Sequence, residues 1–350
     1  MPGVVAAMSK STLNGDTLVR VTRGSLTESR HAGHLAVVDT HGRLVAALGN
    51  PELMTFARSS AKPLQAIPVV ESGAARAFGL VPEELALMCA SHNGEPAHIE
   101  AIERFLKKLG LGEAHLNCGP HYPYYEPAAD RMKRLGDAPR TVHNNCSGKH
   151  SGMLALALRL GVTVQGYMAP EHPVQRRMLD AVSALSGVPA DRIALGTDGC
   201  GVPVFGLPLA SLARAFAVFG RPDGLVPETR AEACRTLAAA IRQAPFYLAG
   251  TGRFDTHLVE ATGGRLVGKM GAEGVFAVTA PELGVALAVK IADGAQRALY
   301  PTVVEALRQL DWLTAAELER LREFHKPAVR NWAGDIVGAI TPEFELLREV

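Results

Sequence analysis

A chain of 350 residues is long enough to bury a large core in one or two domains. Hydrophobic residues make up 47% and charged residues 20%, the balance of an ordinary globular protein. With 36 Lys and Arg against 35 Asp and Glu, the net charge of +1 gives no electrostatic footprint for nucleic acid or an anionic membrane, and 5% aromatics leave little for base stacking.

The opening MPGVVAAMSKSTLNGD has no basic stretch leading into an apolar export segment. Nowhere do the ~18 to 20 apolar residues of a membrane span run together, so a cytoplasmic protein is expected. Residues 1–14 read as a flexible tail and 15–350 as a single domain. LVRVTRG (18–24) and HLAVVDTHGRLVAALG (34–49) read as strands, the second a hairpin turning at Thr40–Gly42. Residues 95–110 read as a helix with Ile99, Ile102, Phe105 and Leu109 on one face. Residues 147–161 read as another, from a Ser cap to a Gly stop, and further helical patterns lie at about 171–186, 208–219 and 227–243. HLVEATGGRLVGKMG (257–271) reads as a hairpin around its Gly-Gly pair. GVFAVTA (274–280) and GVALAVKIADG (284–294) read as strands, and 295–310 as a closing helix.

Strands at both ends with helices between them predict an α/β (α+β) fold. Its antiparallel sheet would come from about 15–60 and 255–350, packed with helices and with a helical subdomain from about 60–250.

Three short motifs carry the chemistry. Ser59 and Lys62 have the spacing S-x-x-K, which on a helix puts both side chains on one face. A serine hydroxyl is a weak nucleophile until a base takes its proton, and a lysine with a depressed pKa can be that base. Alone, the motif is equally a capped helix start beside a solvated lysine. Ser91-His92-Asn93 adds S-x-N, and Lys269-Met270-Gly271 adds K-x-G. In that order the three resemble the signature of serine acyl-transferases related to penicillin-binding proteins and class A β-lactamases. The first supplies nucleophile and base, the second a hydroxyl and an amide for the substrate, and the third a cation on a strand.

Five dispersed cysteines suit buried, metal-binding or reactive thiols better than a disulfide framework. Cys89, Cys118 and Cys234 sit in apolar surroundings and read as core. Cys146 and Cys200 lie in separate Gly-containing loops, with Lys149, His150 and Asp198 near them in sequence. They are either two buried thiols or part of a soft-metal site.

The blocks TRGSLTESRHAGHLAVVD, RSSAKPLQAIPVVESG, ASHNGEPAH, NNCSGKHSGMLALA, EHPVQ and GTDGCGVP together resemble the Rhizobium etli-type L-asparaginase family, also called thermolabile asparaginase II, over roughly Val19 to Arg297. The resemblance implies hydrolysis of L-asparagine to L-aspartate and ammonia. It implies a fold like serine β-lactamases and glutaminases, and a homodimer. It implies two Ser-Lys pairs, Ser59 with Lys62 and Ser91 with Lys269. It also implies zinc held by Cys146, Lys149 and Cys200, positioning substrate rather than activating water. Some relatives carry a further cysteine before the K-x-G strand; Gly250–Ala261 here has none, so no role for that thiol transfers. Arg58 suits the substrate's α-carboxylate, Asp198 or the zinc site its ammonium and carboxylate end with His150 assisting, and Asn93 offers its amide to the substrate.

Three rivals stand beside this reading. DTHG (39–42) and GTDG (196–199) suggest a Thr-dependent amidohydrolase, although no T-G-G-T block opens the chain. The others are a penicillin-recognising serine hydrolase and a non-catalytic, zinc-dependent amino-acid-binding protein.

Overall fold

The computed structural model describes residues 14–348, so the expected tail lies outside the described residues apart from Asn14. The N-terminal end supplies β1 (Asp16–Arg23), β2 (Leu26–Asp39) and β3 (Leu44–Leu48). The middle supplies β4 (Met54–Phe56), β5 (Ala194–Thr197) and β6 (Pro203–Pro208). The C-terminal end supplies β7 (Val267–Gly271), β8 (Val275–Ala280), β9 (Val285–Ile291), β10 (Ala328–Arg330), β11 (Ile336–Pro342) and β12 (Leu347–Arg348).

The large antiparallel sheet runs β10-β11-β1-β2-β9-β8-β7, with β3 also beside β2 and β12 beside β3. The sheet built from both chain ends is therefore as the strand–helix–strand order predicted. Strand β2 is the join. Its first part pairs with β1, and its second, Gly33–Asp39, pairs with β9. The changeover falls at Gly33, where a Cβ would lie 2.4 Å from Lys290 O.

Both faces of this sheet are covered, and they differ in side-chain size. Ala36, Ala277, Ala286 and Ala288 face the helical middle, while Leu35, Phe276, Leu287 and Val289 face the helix Gln296–Gln309. Small residues on one face let the helix Leu209–Gly220 lie close across β2, β8 and β9. The approach is closest at Gly220, where a Cβ would fall 2.1 Å from Thr279 Oγ1. Period-two alternation thus sorts large and small residues onto opposite faces, even though both are buried.

Two expectations need correction. The middle is not wholly helical, because β4, β6 and β5 form a second, three-stranded antiparallel sheet. These strands are short and bounded by proline or glycine, so they carry no clear periodicity. Residues 257–271 are not a hairpin. Phe254–Ala261 is a helix, and only Val267–Gly271 is a strand. Phe254, Leu258, Val259 and Ala261 are buried at helical spacing, and Gly263 and Gly264, both at positive φ, end the helix. The partner of β7 is β8, joined through a tight turn with Glu273 and Gly274 at φ +62° and +67°. The hairpin turn at Thr40–Gly42 is as expected: Asp39 Oδ1 accepts the N–H groups of His41 and Arg43.

Candidate active site

The chain leaves β4 at Phe56 and ties Ala57 N–H to Phe205 O of β6, 2.9 Å away. Arg58 then adopts φ +51°, a left-handed conformation that costs an arginine energy. A single 3₁₀ turn, Arg58–Ala61, leads into the helix Lys62–Glu71, with Pro63 in the first turn where its missing N–H is harmless. Strand β7 packs directly on this turn. A Cβ on Gly271 would lie 2.7 Å from Ala57 O and 3.2 Å from Ser60 N, so only glycine lets the two backbones touch.

Ser59 and Ser91 open into one cavity of about 680 Å³, whose wall also holds Asn93, Asn145, Arg253 and Met270. Ser60 turns the other way: it is fully buried and its hydroxyl donates to Ala57 O at 2.7 Å. Lys62 is also fully buried. Its ammonium nitrogen donates to Ala90 O at 2.6 Å, Ser91 Oγ at 2.9 Å and Asn145 O at 3.4 Å. The three partners suit both protonation states. An amine keeps two N–H groups for the carbonyls and turns its lone pair to the Ser91 hydroxyl.

The loop after Pro82–Met88 alternates its side chains. Ser91 and Asn93 face the cavity, and His92 points inward. His92 Nδ1 accepts Gly94 N–H at 3.1 Å, which leaves its Nε2–H to donate to Ser147 Oγ at 2.9 Å. Burial, with His98 and Lys62 nearby, lowers the His92 pKa well below the usual value, so it is a neutral strut. Asn93 is held from both sides: Arg253 donates to its Oδ1 at 2.8 Å, and its Nδ2 donates to Thr251 O at 3.0 Å. Glu95 completes this frame by accepting Thr251 N–H at 2.7 Å and Thr251 Oγ1–H at 2.8 Å.

Lys269 lies on β7, fully buried, and donates to Asp255 Oδ1 at 3.0 Å and Met270 O at 2.8 Å. The hydrogen-bonded pairs thus differ from those the resemblance implied. Lys62 is joined to Ser91, and Lys269 to Asp255. A 3₁₀ turn, not an α-helical one, connects Ser59 to Lys62, and the lysine extends toward the Ser91 loop.

Arg58 Nε donates to Asp198 Oδ1 at 2.9 Å, so these two expected substrate contacts form an ion pair with each other. His150 is set deeper than expected. It is fully buried in the helix Ser147–Leu160 against the Tyr167 hydroxyl, 2.6 Å from Nδ1.

Cys146, Lys149 and Cys200 do come together. Lys149 Nζ donates to Cys200 Sγ at 3.1 Å, and Asp198 Oδ2 lies 4.0 Å from that sulfur. The Cys200 thiol, donating to Cys146, brings the Cys146 pKa well below that of a free thiol. Burial opposes this, and the charges of Lys62 and Lys149 support it. Burial alone would lower Lys149, but the two sulfurs and Asp198 outweigh it and push the amine up. Among the described residues no cluster of three or more His, Cys, Asp or Glu side chains is arranged for a metal. The donor set is two soft sulfurs plus an amine. It suits a soft divalent ion, provided the ion displaces the Lys149 proton. Cys89, Cys118 and Cys234 are buried thiols, as their apolar surroundings predicted.

The family model of L-asparaginase II matches residues 19–342. The chain belongs to the L-asparaginase II family. Membership implies an enzyme that acts on amides. No curated protein matches the chain. Among solved structures, a β-lactamase from Mycobacterium bovis is 16% identical, covering 84% of this chain and 95% of its own, at TM-score 0.38. A simvastatin synthase mutant from Aspergillus terreus is 11% identical, covering 84% and 91%, at TM-score 0.37. Among the described residues no helix is long and apolar enough to cross a membrane.

Sequence reasoning missed Arg253, Glu95, Thr251 and Asp255. Asp255 was hidden because the helix it opens was not read: the hairpin expected at 257–271 begins two residues after it. Glu95 and Thr251 meet only through the fold, 156 positions apart.

Proposed function

We propose that this protein hydrolyses L-asparagine to L-aspartate and ammonia through a serine acyl-enzyme. The observation that carries this is the shared cavity of Ser59 and Ser91, with Lys62 Nζ 2.9 Å from Ser91 Oγ. Ser59 attacks the side-chain amide carbon, and Lys62, as the free amine, receives the hydroxyl proton directly or through Ser91. Backbone N–H groups stabilise the developing oxyanion. The C–N bond breaks as the nitrogen takes a proton through Ser91 from the Lys269 side, and ammonia leaves. Water then adds to the β-aspartyl ester: the proton it gives up restores Lys269, Lys62 passes its proton back to Ser59 Oγ as the ester bond breaks, and aspartate leaves.

Arg58 spends its Nε on Asp198, which orients the rest of the guanidinium for the substrate α-carboxylate. Asn93 offers its amide to the substrate, and Asp198 receives the α-ammonium. Zinc, when bound, would be held by Cys146, Lys149 and Cys200, and would supply a fixed positive charge that helps place the substrate's polar end. The resemblance also proposes a homodimer, which light scattering on the purified protein tests.

A coupled ammonia assay on asparagine and glutamine decides the central claim. Release from asparagine that is lost in Ser59→Ala supports it. Tight asparagine binding without ammonia release makes the protein a binding module instead.

A further inference from the structure

Asp255 is the buried carboxylate that faces the cations of the site, and no motif predicted it. It sits in the first turn of the helix Phe254–Ala261, and both it and Lys269 have fully buried side chains. A single oxygen, Oδ1, does two jobs. It accepts the Lys269 ammonium at 3.0 Å and the Met270 backbone N–H at 2.8 Å. The carboxylate therefore clamps β7 next to its helix while holding the β7 lysine. Its second oxygen, Oδ2, is buried without a hydrogen-bond partner among the described residues. Buried polar atoms are nearly always paired, so an orphaned carboxylate oxygen beside a catalytic lysine calls for a reason.

Charge supplies that reason. Lys269 faces Lys62 from the helix Lys62–Glu71 and Arg253 from the loop before Phe254–Ala261. Cys89, behind the Ser91 loop, Tyr300, on the helix Gln296–Gln309, and His92 and His98, beside Lys62 and Arg253, are neutral titratable groups around this set. Arg58, on the Ser59 turn, lies against Gly271 two residues along the strand. Arg58 is paired with Asp198, and Asp255 is the carboxylate that faces Lys269 and Arg253.

We propose that Asp255 is a positioning residue for amide hydrolysis, fixing where the Lys269 nitrogen sits and setting the charge it presents to Ser91. This rests on the reading of Lys269 as the source of the leaving group's proton. Burial draws the Lys269 pKa down to about 8, with Asp255 working to raise it and Lys62 to lower it further. Removing the carboxylate leaves only lowering influences. Lys269 then surrenders its proton at a lower pH, and the alkaline limb of the activity profile moves toward acid.

The test compares wild type, D255N and D255E in kcat/KM against pH on asparagine. Expected is an alkaline limb displaced by at least one pH unit toward acid in D255N, a tenfold change in the proton equilibrium, with D255E returning it toward wild type. A D255N profile that is lower at every pH but unshifted assigns Asp255 a merely structural role and overturns the proposal. A second measurement does not depend on turnover: carbon NMR of lysine-labelled protein, with the Lys269 resonance assigned through K269R. In wild type that resonance should titrate near 8. If D255N does not fold, a wild-type Lys269 still fully charged at pH 10 overturns the proposal by itself. A wild type that titrates as expected but releases no ammonia instead sinks the asparaginase reading and leaves the ion-pair assignment standing.

Discussion

Ser59 and Ser60 are neighbours with opposite fates, and the difference is a matter of which way a 3₁₀ turn points each hydroxyl. Ser59 faces the cavity, and Ser60 donates inward to Ala57 O. Ser59→Ala should remove asparagine turnover while the fold persists, as judged by circular dichroism. Ser60→Ala should keep activity within a few-fold and lose about 1 kcal/mol of stability, the net worth of one buried hydrogen bond. Equal inactivity of both variants would mean that the turn does not separate them. Cys146→Ser tests the sulfur cluster in the same spirit. Metal analysis should find zinc in the wild type and a large loss in the variant, because a serine oxygen is a poor substitute for a thiolate. Wild type purified without chelators and free of metal would return both thiols to a purely structural role.

At the scale of elements, the site depends on β7 touching the Ser59 turn. Gly271→Ala would put a Cβ 2.7 Å from Ala57 O, and neither backbone can yield without moving Lys269 or Ser59. A displacement of about 1 Å at a reacting centre can cost on the order of 100-fold, so kcat should fall by roughly that factor while the far-ultraviolet spectrum stays native. Activity within threefold of wild type would show that the contact is slack. The same contact explains the form of the K-x-G motif. The lysine faces into the protein toward Asp255, and the glycine two residues on faces the same way, where there is no room for a side chain.

Across the whole molecule, several histidines are buried and held neutral. Burial lowers the pKa of His92, His98, His143 and His150. A group whose folded pKa is depressed binds more protons when the chain unfolds, so stability is lost as pH falls below its unfolded value, ~6.5 for histidine. Asp198 and Asp255 are also lowered, because neighbouring cations outweigh burial. Their contribution is present above the unfolded value of ~4 and disappears as pH falls through the folded one. The urea midpoint should therefore decline from pH 7 to 5 and drop more steeply below 4. A midpoint unchanged between pH 7 and 5 would mean that these histidines are not held neutral by the fold.

How much of this was legible in the chain follows from the range of the forces involved. Helix periodicity, glycine stops and the strands at both ends depend on residues within a few positions of each other. The sequence alone therefore determined most helices, the sheet built from the two chain ends and the motifs S-x-x-K, S-x-N and K-x-G. It determined family membership as well, since long blocks survive as strings of letters. Partnership is different. That Lys62 reaches Ser91, 29 positions on, and that Lys269 answers to Asp255 depends on how helices and strands pack. The misread 257–271 segment shows the limit: its apolar residues fit either period locally, and only burial against the sheet made Phe254–Ala261 a helix. Tertiary structure decided the charges too, because a lysine, thiol or histidine acquires its pKa from burial and from neighbours that the fold, not the chain, brings within reach.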